Sequence, residues 1–281
     1  MNINYAVVIP FFNNGREVGT AIDSILSQSV RPVHIYVVND NSCTEASQLL
    51  ELIVSEKNSG LITVIYHHTN QGVSNARNTG IEASRVLGVG FIAFCDADDA
   101  WDLEKMKLQL PLFCHQNVFA VSCSLYGTRY PAVMQAHQVF SLTLRDLLWR
   151  NYIQPSTLVV RTSALSLFGS FPPGRRYAEE GDLYNRIAEA GTILFLASPL
   201  VYYDTRDSEL VQAHSLNGRN SRRLSHSTIK MYLGNYLNLY ACYKRGRLSL
   251  PALLYYSVSI IGRFTARYLL ILQSRAFSFL V

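Results

Sequence analysis

Short apolar runs alternate with stretches of helical periodicity along the first hundred residues. YAVVIP (5–10) is short, apolar and β-rich and predicts a strand, and residues 16–28 follow with Val18, Ile22, Ile25 and Leu26 at helical spacing. VHIYVV (33–38) predicts a second strand ending at Asn39 and Asp40, and residues 45–57 a second helix. ITVIYH (62–67) predicts a third strand, residues 72–86 a third helix, and GFIAFC (90–95) a fourth strand. This rhythm implies βαβ crossovers, hence a Rossmann-like α/β fold with a mostly parallel sheet and helices on both faces. Past Trp101 the pattern loosens. A helix is expected over 103–113, a strand over 119–127, a helix over 142–152 and a strand over 156–161. A Pro/Gly-rich loop then feeds a helix ending at Gly191, and TILFL (192–196) predicts a further strand.

In such sheets ligands bind beyond the carboxyl ends of the strands. Polar residues fall there: Asn13, Asp40, Asn70, and Asp96 with Asp98 after the first, second, third and fourth strands. The fourth strand ends in FCDADDAW (94–101), three carboxylates within four positions. Like charges that close are costly to desolvate unless a cation or a donor-rich ligand sits between them. An acidic turn capping a helix near Asp102 is the alternative. No GxGxxG or GxxxxGK[ST] follows any strand, which disfavours a dinucleotide site or a P-loop. A bound diphosphate would then need other neutralisation, and Mg2+ or Mn2+ held by Asp is suited to it, because hard cations take carboxylate and phosphate oxygens together.

Composition narrows the class. With 281 residues, 49% hydrophobic and 16% charged, the chain can bury a sizeable core and is not disordered. A formal net charge of +5 suits anionic substrates or an anionic membrane surface and is too weak to argue for nucleic acid. Five scattered cysteines with no CxxC pair predict reduced buried thiols in a cytoplasmic setting. MNINYAVVIP lacks the basic and long apolar regions of a signal peptide.

Taken in order, several segments resemble family 2 of the inverting glycosyltransferases, which adopt the GT-A fold. VVIPFFNN looks like the family's opening strand and nucleotide loop, and VVNDNSCTE like its DDGSTD segment with Asn39 in place of the first acid. NQGVSNARNTGI is close to its NxGxxxARNxGI, DADD to its DxD motif, and AEEGDLYNR to its ED-x-D-L-W-L-R segment, with Glu180 where Asp is more usual. The resemblance covers roughly residues 4–205. It implies a nucleotide-sugar donor, most simply UDP-linked, held by Pro10, Phe11, Phe12, Asn13, Asp40, Arg77, Asp96, Ala97 and Asp98. Asp98 would bind the metal, with Asp96 on the ribose or on the metal through water. Asp99 alternatively caps the following helix. Asp40 would accept from the base, or close an Asx turn; Arg77 would pair with the nucleotide or with the DxD acids, or sit at the surface. Among Glu179, Glu180 and Asp182 the resemblance makes Glu180 the catalytic base. Asp182, four residues before Arg186, is a structural residue or an acceptor ligand. His214 is a further candidate for the metal, and Trp101 and Trp149 for stacking on acceptor sugars, Trp149 being equally suited to the core.

From residue 217 the character changes. RNSRRLSH and KRGR are basic, and residues 251–272 are nearly apolar but contain Arg263 and Arg267, which disfavours a lone spanning helix. Two readings stand: an interfacial anchor on anionic lipid at the inner face of the cytoplasmic membrane, or a helical appendage packed on the catalytic domain or a second subunit. The expected organisation is a catalytic domain over 1–215, with a nucleotide-sugar half to about residue 100, and a helical region over 216–281. The acceptor would be a saccharide or lipid-linked saccharide. A nucleotidyltransferase and a non-catalytic binding subunit of the same fold are the competing classes.

Overall fold

The computed structural model describes residues 4–57, 60–127, 137–175, 177–203 and 221–278. Strand β1 (Tyr5–Phe11) is buried on both faces, and its alternate side chains part between two layers. Tyr5, Val7, Ile9 and Phe11 pack with Val18, Ile22 and Ile25 of α1 (Glu17–Leu26), above β2 (His34–Asn39), and with Leu50 and Ile53 of α2 (Thr44–Lys57). Beyond β3 (Ile62–Tyr66), Ala6 and Val8 turn to the other side and meet Ile81 of α3 (Val73–Leu87). That helix comes very close to the sheet because Gly80 has no side chain: a Cβ there would lie 2.3 Å from Val8 Cγ1.

β1 pairs in parallel with β2 and with β4 (Phe91–Phe94), and β2 with β3. This is the parallel half anticipated from the alternation. The remaining elements are β5 (Ala100–Trp101), α4 (Lys105–Gln109), β6 (Val118–Leu125), β7 (Val139–Leu142), α5 (Leu144–Trp149), β8 (Val159–Arg161), α6 (Thr162–Phe168), α7 (Glu179–Ala188) and β9 (Thr192–Tyr202). The nine-stranded sheet runs β3-β2-β1-β4-β8-β6-β9-β5, with β7 added on β9. Beyond β4 it is mixed: β8 is antiparallel to β4 and β6, whereas β6 and β9 are parallel. The result is a GT-A-like α/β fold.

Two long helices follow, α8 (Ser221–Lys244) and α9 (Leu250–Ser278). They pack together through Leu239, Leu253, Tyr256 and Ile260, with Leu148 of α5 against the same cluster. Arg245 in the connecting turn donates to both carboxylate oxygens of Glu189 at 3.0 Å and pairs with Asp182 at 3.1 Å. Gly234 of α8 meets the backbone before α7 so closely that a Cβ would sit 2.5 Å from the Tyr177 carbonyl oxygen. The appendage therefore docks on the α/β domain. Among the described residues no helix is long and apolar enough to cross a membrane. Of the cysteines, Cys95, Cys123 and Cys242 are buried free thiols, whereas Cys43 and Cys114 are exposed.

Candidate active site

The register of the parallel strands places a cleft of about 570 Å³ at their carboxyl ends. Phe11 aligns with Asn39, and the Asp40 amide donates to the Phe11 carbonyl at 2.8 Å, so both loops leave the sheet together. Phe12 is 48% exposed at the cleft, an uncommon state for a large apolar ring and one suited to stacking on a ligand. Asn13 adopts a left-handed φ of 51°, and its Oδ1 accepts from the Cys43 amide at 2.8 Å. It fixes the loop, and the neighbouring Asn14, rather than Asn13, lines the cleft.

Asp40 lies at the floor, almost fully buried. Its carboxylate accepts from His67 Nδ1 at 2.7 Å and from the amides of Gln71 at 2.9 Å and Gly72 at 2.7 Å. Gly72 has a φ of 86°, so the loop can fold back on that carboxylate before α3 starts at Val73. Asp40 thus ties the loop before α3 to the cleft it lines, while the local turn at the end of β2 is made instead by Asn39, whose Oδ1 accepts from the Ser42 amide at 2.9 Å.

The three acids after β4 separate. Asp99 is buried and accepts from Ser156 Oγ, and helix α4 begins only at Lys105, so Asp99 caps no helix. Asp96 accepts from Arg77 Nη2 at 2.8 Å, and Asp98 lines the cleft beside it. Arg77 is buried, not a surface residue, and its Nη1 donates to Glu179 at 3.1 Å. Burial works against the arginine's charge, but Asp96 and Glu179 outweigh it and raise its pKa. One guanidinium therefore links the strand-end acids to the acids of α7.

That link leads to a second cavity, about 370 Å³, between α5, α7 and the α8–α9 hairpin. Ala178, in a left-handed conformation with φ 50°, precedes α7, and its carbonyl accepts from Asn238 Nδ2 at 2.7 Å. The turn delivers Glu180 to the wall of this cavity. Burial first, and the neighbouring charge of Glu179 second, push the Glu180 carboxyl from its ordinary 4.5 up to about 7. A carboxylate so tuned can take a proton near neutral pH. Asp182 lines neither cavity, because Arg186 at 2.9 Å and Arg245 at 3.1 Å hold its carboxylate.

Other expected residues scatter. Trp101 is buried with Lys105 Nζ 3.9 Å from its ring centroid, because pairing of β5 with β9 turns the indole inward; stacking on a sugar is excluded. Trp149 is 49% exposed and lines the second cavity, so it is not core. Pro10, Phe11 and Ala97 line the first cleft. His214 lies outside the described residues. Tyr177 and Tyr203 also line the first cleft and carry no motif that could have flagged them; their place depends on chain segments brought together only by folding.

Among the described residues no group of three His, Cys, Asp or Glu side chains converges on one point. Asp98 with Asp96 at the cleft supplies hard oxygen donors but too few to close a coordination shell. That set fits Mg2+ or Mn2+ shared with a diphosphate, which brings the remaining oxygens.

The chain is 34% identical over 113 residues to the amylovoran biosynthesis glycosyltransferase AmsB of Erwinia amylovora, a match covering 40% of this chain and 36% of that protein. It spans well under two thirds of the length of the curated relatives it matches, AmsB among them. Its fold is similar to that of Staphylococcus aureus TarS solved with UDP-GlcNAc (TM-score 0.62, 20% identity, 84% of this chain and 66% of that one). It is also similar to the mannosyltransferase PcManGT of Pyrobaculum calidifontis, solved with GDP-Man and Mn2+ (TM-score 0.58, 16% identity, 95% of this chain and 80% of that one). A family model described as Glycosyl transferase family 2 matches residues 6–171, more than half the sequence, and the chain belongs to that family.

Proposed function

We propose that the protein is an inverting glycosyltransferase that moves a sugar from a nucleotide-sugar donor, UDP-linked in the first instance, to a hydroxyl of a saccharide or lipid-linked saccharide in surface-polysaccharide assembly. The observation that carries this reading is the cleft in which Phe12, Asp40, Arg77, Asp96 and Asp98 meet, with Arg77 bridging Asp96 to Glu179, the residue before Glu180. The base would stack on Phe12, with the remaining acceptor capacity of Asp40 directed at its imino N–H. Asp98, aided by Asp96, would hold Mn2+ or Mg2+, which when bound neutralises the departing diphosphate. Glu180 takes the proton from the acceptor hydroxyl as that oxygen forms its bond to the anomeric carbon. The bond from that carbon to the phosphate oxygen breaks, and the nucleoside diphosphate leaves with the electron pair from the opposite face. The donor and ion in the TarS and PcManGT structures, and the polysaccharide named for AmsB, support the reading by similarity.

Thermal shift with UDP, GDP and CMP, each with and without Mn2+, tests it. Stabilisation by UDP that requires Mn2+ is expected, and indifference to every nucleotide would remove the donor site. Glu180→Gln should lower transfer by about 10²–10⁴-fold while the UDP–Mn2+ shift persists; unaltered turnover would remove Glu180 from its role.

We also place the α8–α9 hairpin against a membrane surface, on the inner face of the cytoplasmic membrane. The support is its outward stripe of Leu233, Leu237 and Tyr240 on α8 and Leu254, Val258 and Ile261 on α9, all exposed, with Lys244 and Arg247 nearby in the chain.

A further inference from the structure

The second cavity has a lining unlike that of the donor cleft. Glu180 stands in one wall, and the amides of Asn151, Asn185 and Asn235 and the half-exposed Trp149, stacked on Tyr255, in the others. Amides beside an aromatic side chain suit a sugar ring, whose hydroxyls need hydrogen-bond partners and whose C–H groups pack on apolar surface. Two cations complete it, Arg150 and Arg263. Arg263 lies over the Trp149 ring and donates to the Trp149 carbonyl, while Arg150 lies over Tyr152. Among the described residues neither is paired with a carboxylate, although Arg245 of the same hairpin holds two. Guanidinium groups without a carboxylate partner at the rim of a cavity leave planar donors open to an anion from outside.

We infer that this cavity, walled by the C-terminal hairpin, is the acceptor site, and that its occupant is a saccharide carrying an anionic group, with the accepting hydroxyl at Glu180 and the anion at Arg150 and Arg263. The inference rests on the transferase reading and gives its acceptor a chemical class. A uronic acid and a sugar joined to a lipid phosphate share this chemistry.

Release of UDP from UDP-GlcNAc and UDP-glucose can be followed with three probes: p-nitrophenyl glucoside, p-nitrophenyl glucuronide and octyl glucosyl phosphate. At least one anionic probe should raise the rate saturably, with kcat/KM about tenfold or more above the neutral glucoside, that is, about 1.4 kcal/mol. The glucuronide and the phosphate arms separate the two sources of the anion. Arg150→Gln and Arg263→Gln should each shrink the anionic preference by raising KM for the anionic probe, with little change in KM for the sugar nucleotide. Arg150 is exposed and leaves the hairpin contacts alone, so its variant stays informative if Arg263→Gln misfolds. Equal use of neutral and anionic probes, or a preference unchanged in the Arg150 variant, would overturn the inference while leaving the transferase reading intact. No UDP release with any donor, together with no UDP–Mn2+ thermal shift, would overturn the transferase reading and this inference with it.

Discussion

Arg77 holds the opposing charges of the site in one place. It is buried between Asp96 and Glu179, and removing it would leave two carboxylates facing each other without their cation. Arg77→Met should therefore destabilise the fold by about 3–5 kcal/mol, read as a lowered urea midpoint with unchanged slope. The Glu180 carboxyl, pushed up to about 7, gives activity and stability opposite pH dependences. In the proposed role of base it works only when ionised, and the expected outcome is a kcat/KM that falls about tenfold per pH unit below that value. For stability the sign reverses: the folded state favours the protonated form, and that contribution is complete below the ordinary 4.5 and lost as pH rises through about 7. Glu180→Gln carries no charge at any pH, so it should raise Tm relative to the native protein at pH 8 and change it little at pH 4. A constant difference across that range would refute the assignment of the shift. At this scale the sequence already showed Asp96, Asp98 and Arg77 through motif and spacing. It did not show that Asp99 serves Ser156, that Trp101 faces the core, or that Asp182 is claimed by Arg245, because each depends on a partner distant in the chain.

Helices and strands record the same division between local and distant causes. The first four strands and three helices stand within a few residues of where periodicity put them, since each buries a face set by its own sequence. β9 runs to Tyr202, well past residue 196, because its second half is stabilised by pairing with β5, which no local pattern can announce. Where a strand was expected from residue 156, Pro155 starts a 3-10 turn and the strand begins at Val159. The contact between α3 and β1 is the element-level feature most open to test. Gly80→Ala forces a methyl onto Val8 and should cost about 1–3 kcal/mol. Combined with Val8→Ala the two losses should add to less than their sum, since the smaller side chain leaves room for the new one. Strict additivity in chemical denaturation would show that the helix shifts instead.

The whole molecule is a mixed nine-stranded sheet with a helical hairpin docked beside its acid-rich helix. Composition hinted at the hairpin through a low charged fraction and a basic, apolar tail, yet the decisive docking contacts, Gly234 on the Tyr177 carbonyl and Asn238 on the Ala178 carbonyl, belong to no motif. If the outer stripe meets lipid, the native protein should float with vesicles containing anionic phosphatidylglycerol, and a Leu254→Glu, Val258→Glu double variant should stay in the dense fraction with its melting curve intact. Native protein left in the dense fraction would sink the membrane placement.

Tyr177 borders the first cleft, while Ala178 and Glu180 border the second cavity and lean on α8. Two chambers thus share a few consecutive peptide units as a common rim. Linkage makes any communication across such a rim symmetric. A ligand in one chamber that tightens the other by some factor must itself be held tighter by that same factor once the other is filled.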